Sequence, residues 1–263
     1  MTATLELMIL QTPADLGMPS DRLAWLKAWL DQADLADIDL ILLPELFQTG
    51  YNAADIIPDQ AEASDGIFFQ SMAGMARKHQ LAIAYGYAER VNEQIYNAAQ
   101  IIDRMGNPIA NHRKLTIPPG LERALFDTGQ HMTQFQFKGI EIGILICYDA
   151  EFPEYMRAMA MAGAELVLVP TALSDQWDVV AERVIPSRGF ENGIHVAYAN
   201  HCGTDKGLGF LGKSCIISPT GVDLARADSS SDARAIRASI SRDAVKAAQA
   251  RLPYLTECKT LSL

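Results

Sequence analysis

The run from Ile38 to Leu43 is apolar at every position but one, and it ends in Pro44-Glu45. A strand written this way has no face to offer water, so it needs cover on both sides. That demand selects layered α/β architecture over an open antiparallel sheet. The rest of the chain agrees. Strand patterns are read at Leu5–Leu10, Leu81–Ala88, Ile95–Ile102, Met132–Phe137, Ile140–Ile146, Leu166–Val169, Ile194–Ala199, Ser214–Ser218 and Ala235–Ile240. Helix-period segments fall between them at Asp21–Ala36, Asp65–His79, Pro153–Ala162, Val179–Asn192 and Arg242–Ala250. The first carries Leu23, Leu26, Leu30 and Ala33 on one stripe, and Pro186 interrupts the fourth. Met105 to Pro108 and Pro219 to Gly221 read as turns. No linker or repeat divides the 263 residues, so a single domain over 1–263 is expected.

Composition excludes several classes. A formal charge of −10 argues against a nucleic-acid partner and against anionic lipid. No apolar run reaches 18 residues, so no membrane helix is expected. Cys147, Cys202, Cys215 and Cys258 show no C-x-x-C spacing, which removes the usual zinc and dithiol motifs. The N-terminus has neither a basic region nor a long apolar region, so the reading is a reduced, cytoplasmic protein with free thiols. The polar stretch from Ser229 to Asp232 reads as a surface loop.

Three segments carry chemistry. Glu45 follows directly on a buried strand, where ligands of α/β sheets collect and where apolar company raises a carboxylate toward a useful base. Asn111 to Lys114 clusters cationic groups before Pro118-Pro119-Gly120. Cys147 ends another buried strand, and Pro153 opens a helix shortly after, a layout that exposes a nucleophile near helix N–H groups. Taken singly, each has a plainer alternative: a solvated glutamate, a cationic surface, a structural cysteine. Of the other cysteines, Cys215 sits inside a strand pattern, Cys258 lies among polar residues, and Cys202 follows Asn200-His201 at a strand end.

In one order along the chain stand Pro44-Glu45 with Gly50-Tyr51, Tyr96-Asn97, Arg113-Lys114, and Cys147-Tyr148-Asp149 with Phe152-Pro153-Glu154. Gly163-Ala164-Glu165 leading to Pro170-Thr171-Ala172, Arg188 with Glu191-Asn192, and Ala199-Asn200 follow. Together these words resemble the nitrilase superfamily of carbon–nitrogen hydrolases over nearly the whole chain. The resemblance implies a four-layer α-β-β-α sandwich with two mixed sheets. It implies a homodimer or higher homo-oligomer, with the helix after Cys147 and the Val179–Asn192 helix at the interface. The chain's end soon after Pro253-Tyr254 is read as leaving no long tail for spiral assembly. By the same mapping Cys147 resembles the family nucleophile, Glu45 the general base and Lys114 the third member. Glu122, eight residues after Lys114, matches a further glutamate of the amidase type, although Ile117-Pro118-Pro119 departs from the commoner wording. Pocket candidates are Tyr51, Tyr148, Glu151, Ala172, Leu173 and Trp177. Trp177 either caps the pocket or packs on a helix start.

The wording from Cys147 to Glu154 and from Tyr198 to Gly203 is similar to aliphatic amidases, δ-aminovaleramide hydrolases and stereoselective carboxamidases among them. Many members carry arginine where this chain has Glu151, so Glu151 either binds a cationic substrate amine or rewires a salt bridge. The expected reaction converts a small aliphatic carboxamide, ω-amino and chiral acyl groups included, to carboxylate and ammonia through a cysteine thioester. It needs no metal or organic cofactor. Alternatives are a nitrilase, an N-carbamoyl-amine hydrolase, a cysteine–histidine peptidase using one of His79, His112, His131, His195 or His201, and a non-catalytic binding protein on this fold.

Overall fold

Strand β1 (Thr4–Pro13) explains the unbroken apolar runs. Leu5, Leu7 and Ile9 pack on one face, Met8 and Leu10 on the other, and all five are buried. Strand β2 (Leu40–Leu42) repeats the pattern, with Leu40 and Leu42 on the first face and Ile41 on the second. The computed structural model describes residues 3–229, 231–257 and 259. Cys258 and Ser230 lie outside the described residues; Ser229 and Ser231 beside the latter sit in bends.

Among the described residues, two mixed sheets form. The first contains β1, β2, β3 (Ala82–Val91), β4 (Gln94–Ile102) and β5 (Pro108–Arg113). It also takes strands from late in the chain. Their order is β11-β10-β1-β2-β3-β4-β5, with β14 antiparallel along β1. The second sheet has the order β13-β12-β9-β8-β7-β6. It is built from β6 (Thr133–Phe137), β7 (Ile140–Ile144), β8 (Leu166–Pro170), β9 (His195–Ala199), β12 (Cys215–Ile217) and β13 (Asp223–Arg226). The late strands of the first sheet are β10 (His201–Asp205), β11 (Leu208–Leu211) and β14 (Arg234–Ser241).

The sheets pack face to face. Leu7, Ile9, Leu40 and Leu42 of the first meet Ile142, Ile144, Leu166 and Leu168 of the second in one core. Helices α1 (Pro19–Leu30), α2 (Ile57–Gln60) and α3 (Ile67–His79) precede β3; α4 (Pro153–Met161), α5 (Ile185–Asn192), α6 (Arg242–Arg251) and α7 (Tyr254–Glu257) come later. Leu26 of α1 and Met72 of α3 cover the outer face of the first sheet. Met156 and Met159 of α4 and Ile185 of α5 cover the second. The layers therefore stack α-β-β-α. Each fully buried Leu or Ile contributes about 1.5–3 kcal/mol.

Helix α1 differs from the pattern read at Asp21–Ala36. It starts at Pro19, whose missing N–H is harmless in a first turn, and ends at Leu30, so Ala33 lies beyond it. Its buried stripe is Arg22, Leu26 and Leu30, an arginine standing where apolar periodicity looks for none. The Val179–Asn192 segment is a π-turn at Val180–Val184 that runs into α5. Pro186 sits in the first turn of α5, and the wider upstream turn accommodates its ring. Strands β5, β10, β11 and β13 have no counterpart in the sequence reading. They are short, and all but β11 are largely polar, so cross-strand pairing rather than a long apolar pattern marks them.

Candidate active site

Glu45, Lys114 and Cys147 each follow the carboxyl end of a strand: β2, β5 and β7 respectively. Thr171 and Asn200 follow β8 and β9 in the same way. The sheets thus deliver polar side chains beyond one set of strand ends, where an α/β fold leaves space for a ligand.

The turn bearing Glu45 rests on β3. Gly86 N–H donates to Pro44 O (3.2 Å), and Gln48 N–H donates to Gly86 O (3.1 Å). A Cβ at Gly86 would lie 2.3 Å from Leu46 N and 2.7 Å from Glu45 Cα, so only glycine permits this approach. Leu46 takes a left-handed φ of 48°. His201 closes the turn from the other side. Its Nε2 is 2.8 Å from Glu45 O and its Nδ1 is 3.0 Å from Thr12 Oγ1. The carbonyl can only accept, so Nε2 carries the proton and Nδ1 accepts from Thr12.

Cys147 opens a short turn, Cys147–Glu151, at a φ of 46°. This left-handed conformation is strained for a side chain and turns the cysteine out of the strand direction. Asp149 holds it there. Its Oδ2 accepts from Ile146 N–H (3.2 Å) and Leu115 N–H (3.2 Å), and its Oδ1 accepts from Thr116 N–H (2.8 Å). One buried carboxylate therefore staples the cysteine turn to the segment that follows Lys114.

Lys114 Nζ lies 2.6 Å from Glu45 Oε1 and 2.7 and 2.8 Å from the two oxygens of Glu122. Asn97 Nδ2 donates to Glu45 Oε1 (2.7 Å) and to Glu122 Oε2 (3.0 Å). Tyr51 Oη donates to Glu122 Oε1 at 2.7 Å. Lys114, Glu45 and Glu122 are all buried, and Glu45 Oε2 has no hydrogen-bond partner. Burial pushes the Glu45 carboxyl up to about 7, Lys114 opposing that rise and Glu122 adding to it. Burial alone would lower the Lys114 ammonium, but the facing carboxylates Glu45 and Glu122 outweigh it and hold the ammonium above its ordinary value. Burial and the charge of Glu45 raise the Cys147 thiol well above the usual range, against Lys114 and hydrogen bonds from Thr171 and Ala172.

Above this cluster opens a cavity of about 600 Å³ that reaches Cys147. Tyr51, Tyr148, Glu151, Ala172, Leu173 and Trp177 all line it. Trp177 stands at the mouth, 58% exposed, on the short turn Asp175–Trp177. Asn200 braces one wall, accepting from Leu173 N–H (2.8 Å) and donating to Leu173 O (3.2 Å). Among the described residues, Glu151 forms no salt bridge. Arg188 pairs instead with Glu191 (2.9 Å) and donates to the backbone carbonyls of Ala150 and Glu151. The rewired ion pair envisaged at that position is therefore not formed.

Asn97, Asp149, Thr171 and Asn200 carry no role of their own in the sequence reading, and His201 only that of a candidate peptidase histidine. The available signal was polarity inside or directly after strands, where a group without a partner is costly. Cys202 and Cys215 stand apart from the cluster. Cys215 is buried on the helix side of the second sheet, and Cys202 faces the carbonyls of Ser231 and Asp232.

Known proteins resemble this chain in sequence and fold. The carbon–nitrogen hydrolase family model matches residues 11–250. A Pseudomonas protegens protein named "Hydrolase in pqqF 5'region" is 44% identical over 74% of this chain and 69% of its own length. An (R)-stereoselective amidase from a Pseudomonas species is 31% identical over 84% of this chain and 80% of its own. A mutant amidase from Nesterenkonia sp. AN1 superposes with a TM-score of 0.86 at 29% identity, covering 98% of this chain and 95% of the other. Its structure shows covalent addition of the acetamide moiety of fluoroacetamide at the active-site cysteine. With this family match over most of its length, a matching fold and amidases among its relatives, the chain belongs to the carbon–nitrogen hydrolases, enzymes of the nitrilase superfamily acting on carbon–nitrogen bonds other than peptide bonds.

Proposed function

We propose that this enzyme hydrolyses small aliphatic carboxamides to carboxylate and ammonia through a thioester on Cys147. The observation that carries the reading is the convergence of Glu45, Lys114 and Glu122 in one buried hydrogen-bonded cluster beneath a cavity that reaches Cys147. The amide chemistry is supported by the (R)-stereoselective amidase and the Nesterenkonia amidase. The covalent adduct on the latter's cysteine supports a nucleophilic role for Cys147.

In this mechanism Glu45 takes the Cys147 proton on Oε2, the oxygen without a partner. The sulfur attacks the amide carbon, and negative charge develops on the carbonyl oxygen. Lys114 Nζ and the Tyr148 N–H receive that charge; one such donor is worth about 3 kcal/mol. Protonated Glu45 gives its proton to the leaving nitrogen, ammonia departs, and the acyl group remains as a thioester. Glu45 then removes a proton from water as the oxygen attacks the thioester, the C–S bond breaks, Glu45 returns its proton to the sulfur, and the acid leaves and ionises to carboxylate. Glu122 acts by holding Lys114. A resting thiol with a raised pKa fits this order, because proton removal awaits the bound substrate.

The test is ammonia release from short amides, the matching nitriles and N-carbamoyl amines, with Cys147→Ala beside the wild type. Release from amides that disappears in the variant is the expected result. Release from nitriles or N-carbamoyl amines alone would replace amides as the substrate class. Equal release by both proteins would end the role of Cys147.

A further inference from the structure

Glu151 lies in the substrate cavity with its charge unanswered. It shares the turn Cys147–Glu151 with Cys147 and lines the same 600 Å³ space. Among the described residues, no hydrogen bond or ion pair reaches its carboxylate. The two cations that act on it electrostatically, Lys114 and Arg188, are committed elsewhere. Lys114 is held between Glu45 and Glu122. Arg188 spends its donors on Glu191 and on the backbone carbonyls of Ala150 and Glu151. The described lining of the cavity includes no lysine or arginine. Pro119, Ala172, Leu173 and Trp177 give it apolar wall, and Ser174 and Gln176 are uncharged polar groups on it.

A half-buried carboxylate without a partner is a cost to the empty protein and is relieved by an incoming cation. Burial holds the Glu151 carboxyl above its ordinary value, with Lys114 and Arg188 pulling it only part of the way back. Glu151 stands four residues beyond Cys147, at the far end of the same turn. That offset suits a charge carried several atoms away from the reacting carbonyl, with methylenes packing on the apolar wall between.

We propose that Glu151 is a specificity-determining residue that receives a primary ammonium at the far end of the acyl chain. The preferred amides are then ω-amino amides, and amides ending in a carboxylate are rejected. This inference rests on the amidase reading above, and its test separates the two.

The first measurement is kcat/KM for ω-amino amides of graded length, for their uncharged isosteres and for ω-carboxy amides, in wild type, Glu151→Gln and Glu151→Asp. The preference for ammonium over isostere is expected to fall at least tenfold in Glu151→Gln, chiefly through KM. Glu151→Asp is expected to retain the preference. Equal losses on charged and uncharged amides would mean a merely structural role and overturn the proposal. The second measurement needs no turnover. Cys147 is labelled by aminoethyl, methyl and sulfonatoethyl methanethiosulfonate, with peptide mass spectrometry reporting the rate at that residue. The cation-to-neutral rate ratio is expected to fall in Glu151→Gln while the anionic reagent gains. If amides are hydrolysed but neither ratio moves, the proposal fails and the amidase stands. If no amide is hydrolysed but the labelling ratio falls, the amidase reading fails and the cation-accepting role of Glu151 survives.

Discussion

His201 is held neutral. Burial, with Arg22 nearby, lowers its imidazole to about 3, and both ring nitrogens are engaged. Its place in the mechanism is structural, as the donor that fixes the Glu45 carbonyl, so it does not titrate with activity. Removing it in His201→Ala strands a buried carbonyl and a buried hydroxyl, a loss of about 1–3 kcal/mol for each unsatisfied group. Chemical denaturation should show that loss, and kcat should fall more than KM rises as Glu45 loosens; unchanged stability would contradict it. Glu45 itself should govern the acid limb of the pH profile. Its carboxyl is pushed up to about 7, and only the ionised form can accept the thiol proton. Therefore kcat/KM should climb as pH rises through about 7 and level off above it. A profile flat from pH 5 to 8 would exclude Glu45 as the base.

At the scale of elements, the site depends on how strand ends are turned. The Glu45 turn approaches β3 so closely that Gly86→Ala forces the backbone apart. Such overpacking costs about 1–3 kcal/mol. The expected result is a lower melting temperature with activity reduced at least tenfold, because the displaced atoms belong to Glu45 and Leu46. Full activity in Gly86→Ala would show that the turn can relax. The Cys147 turn is held differently, by the Asp149 carboxylate rather than by close backbone packing. Between α4 and β9, the π-turn at Val180–Val184 lets a proline-containing segment stay helical and still supply Ile185 to the core.

At the scale of the molecule, some of the exposed apolar side chains lie on the helices that cover the second sheet. Met161 at the end of α4, Phe190 of α5 and Tyr254 of α7 are 67%, 43% and 39% exposed, and the Phe190 and Tyr254 rings meet edge to face. Apolar patches of this kind mark association surfaces. The homodimer expected from the family resemblance would use this layer. Light scattering should then report twice 28.8 kDa for the wild type, and Phe190→Asp should return a single chain. A monomeric wild type would contradict the expectation. Among the described residues, no helix is long and apolar enough to cross a membrane.

Periodicity was enough for a layered α/β fold, whereas the four-layer α-β-β-α order came from the family resemblance. Strands as apolar as β1, β2 and β8 have to be covered on both faces, and that requirement is written locally. The positions of Glu45 and Cys147 at strand ends were legible for the same reason, and ordered words along the chain singled out Lys114 and Glu122. The short strands were not legible, because β10 takes its place only on pairing with β1, far away in sequence, and β11 and β13, four residues each, are too short to show a period. Nor were the contacts that bind the cluster together. Asn97 meets Glu45 across 52 residues, and His201 meets it across 156. A one-dimensional pattern records which side chains are polar, but their partners are chosen only when the sheets pack. The free charge of Glu151 is the sharpest instance. Its identity is a matter of sequence, whereas its lack of a partner among the described residues follows from where folding sends Arg188 and Lys114.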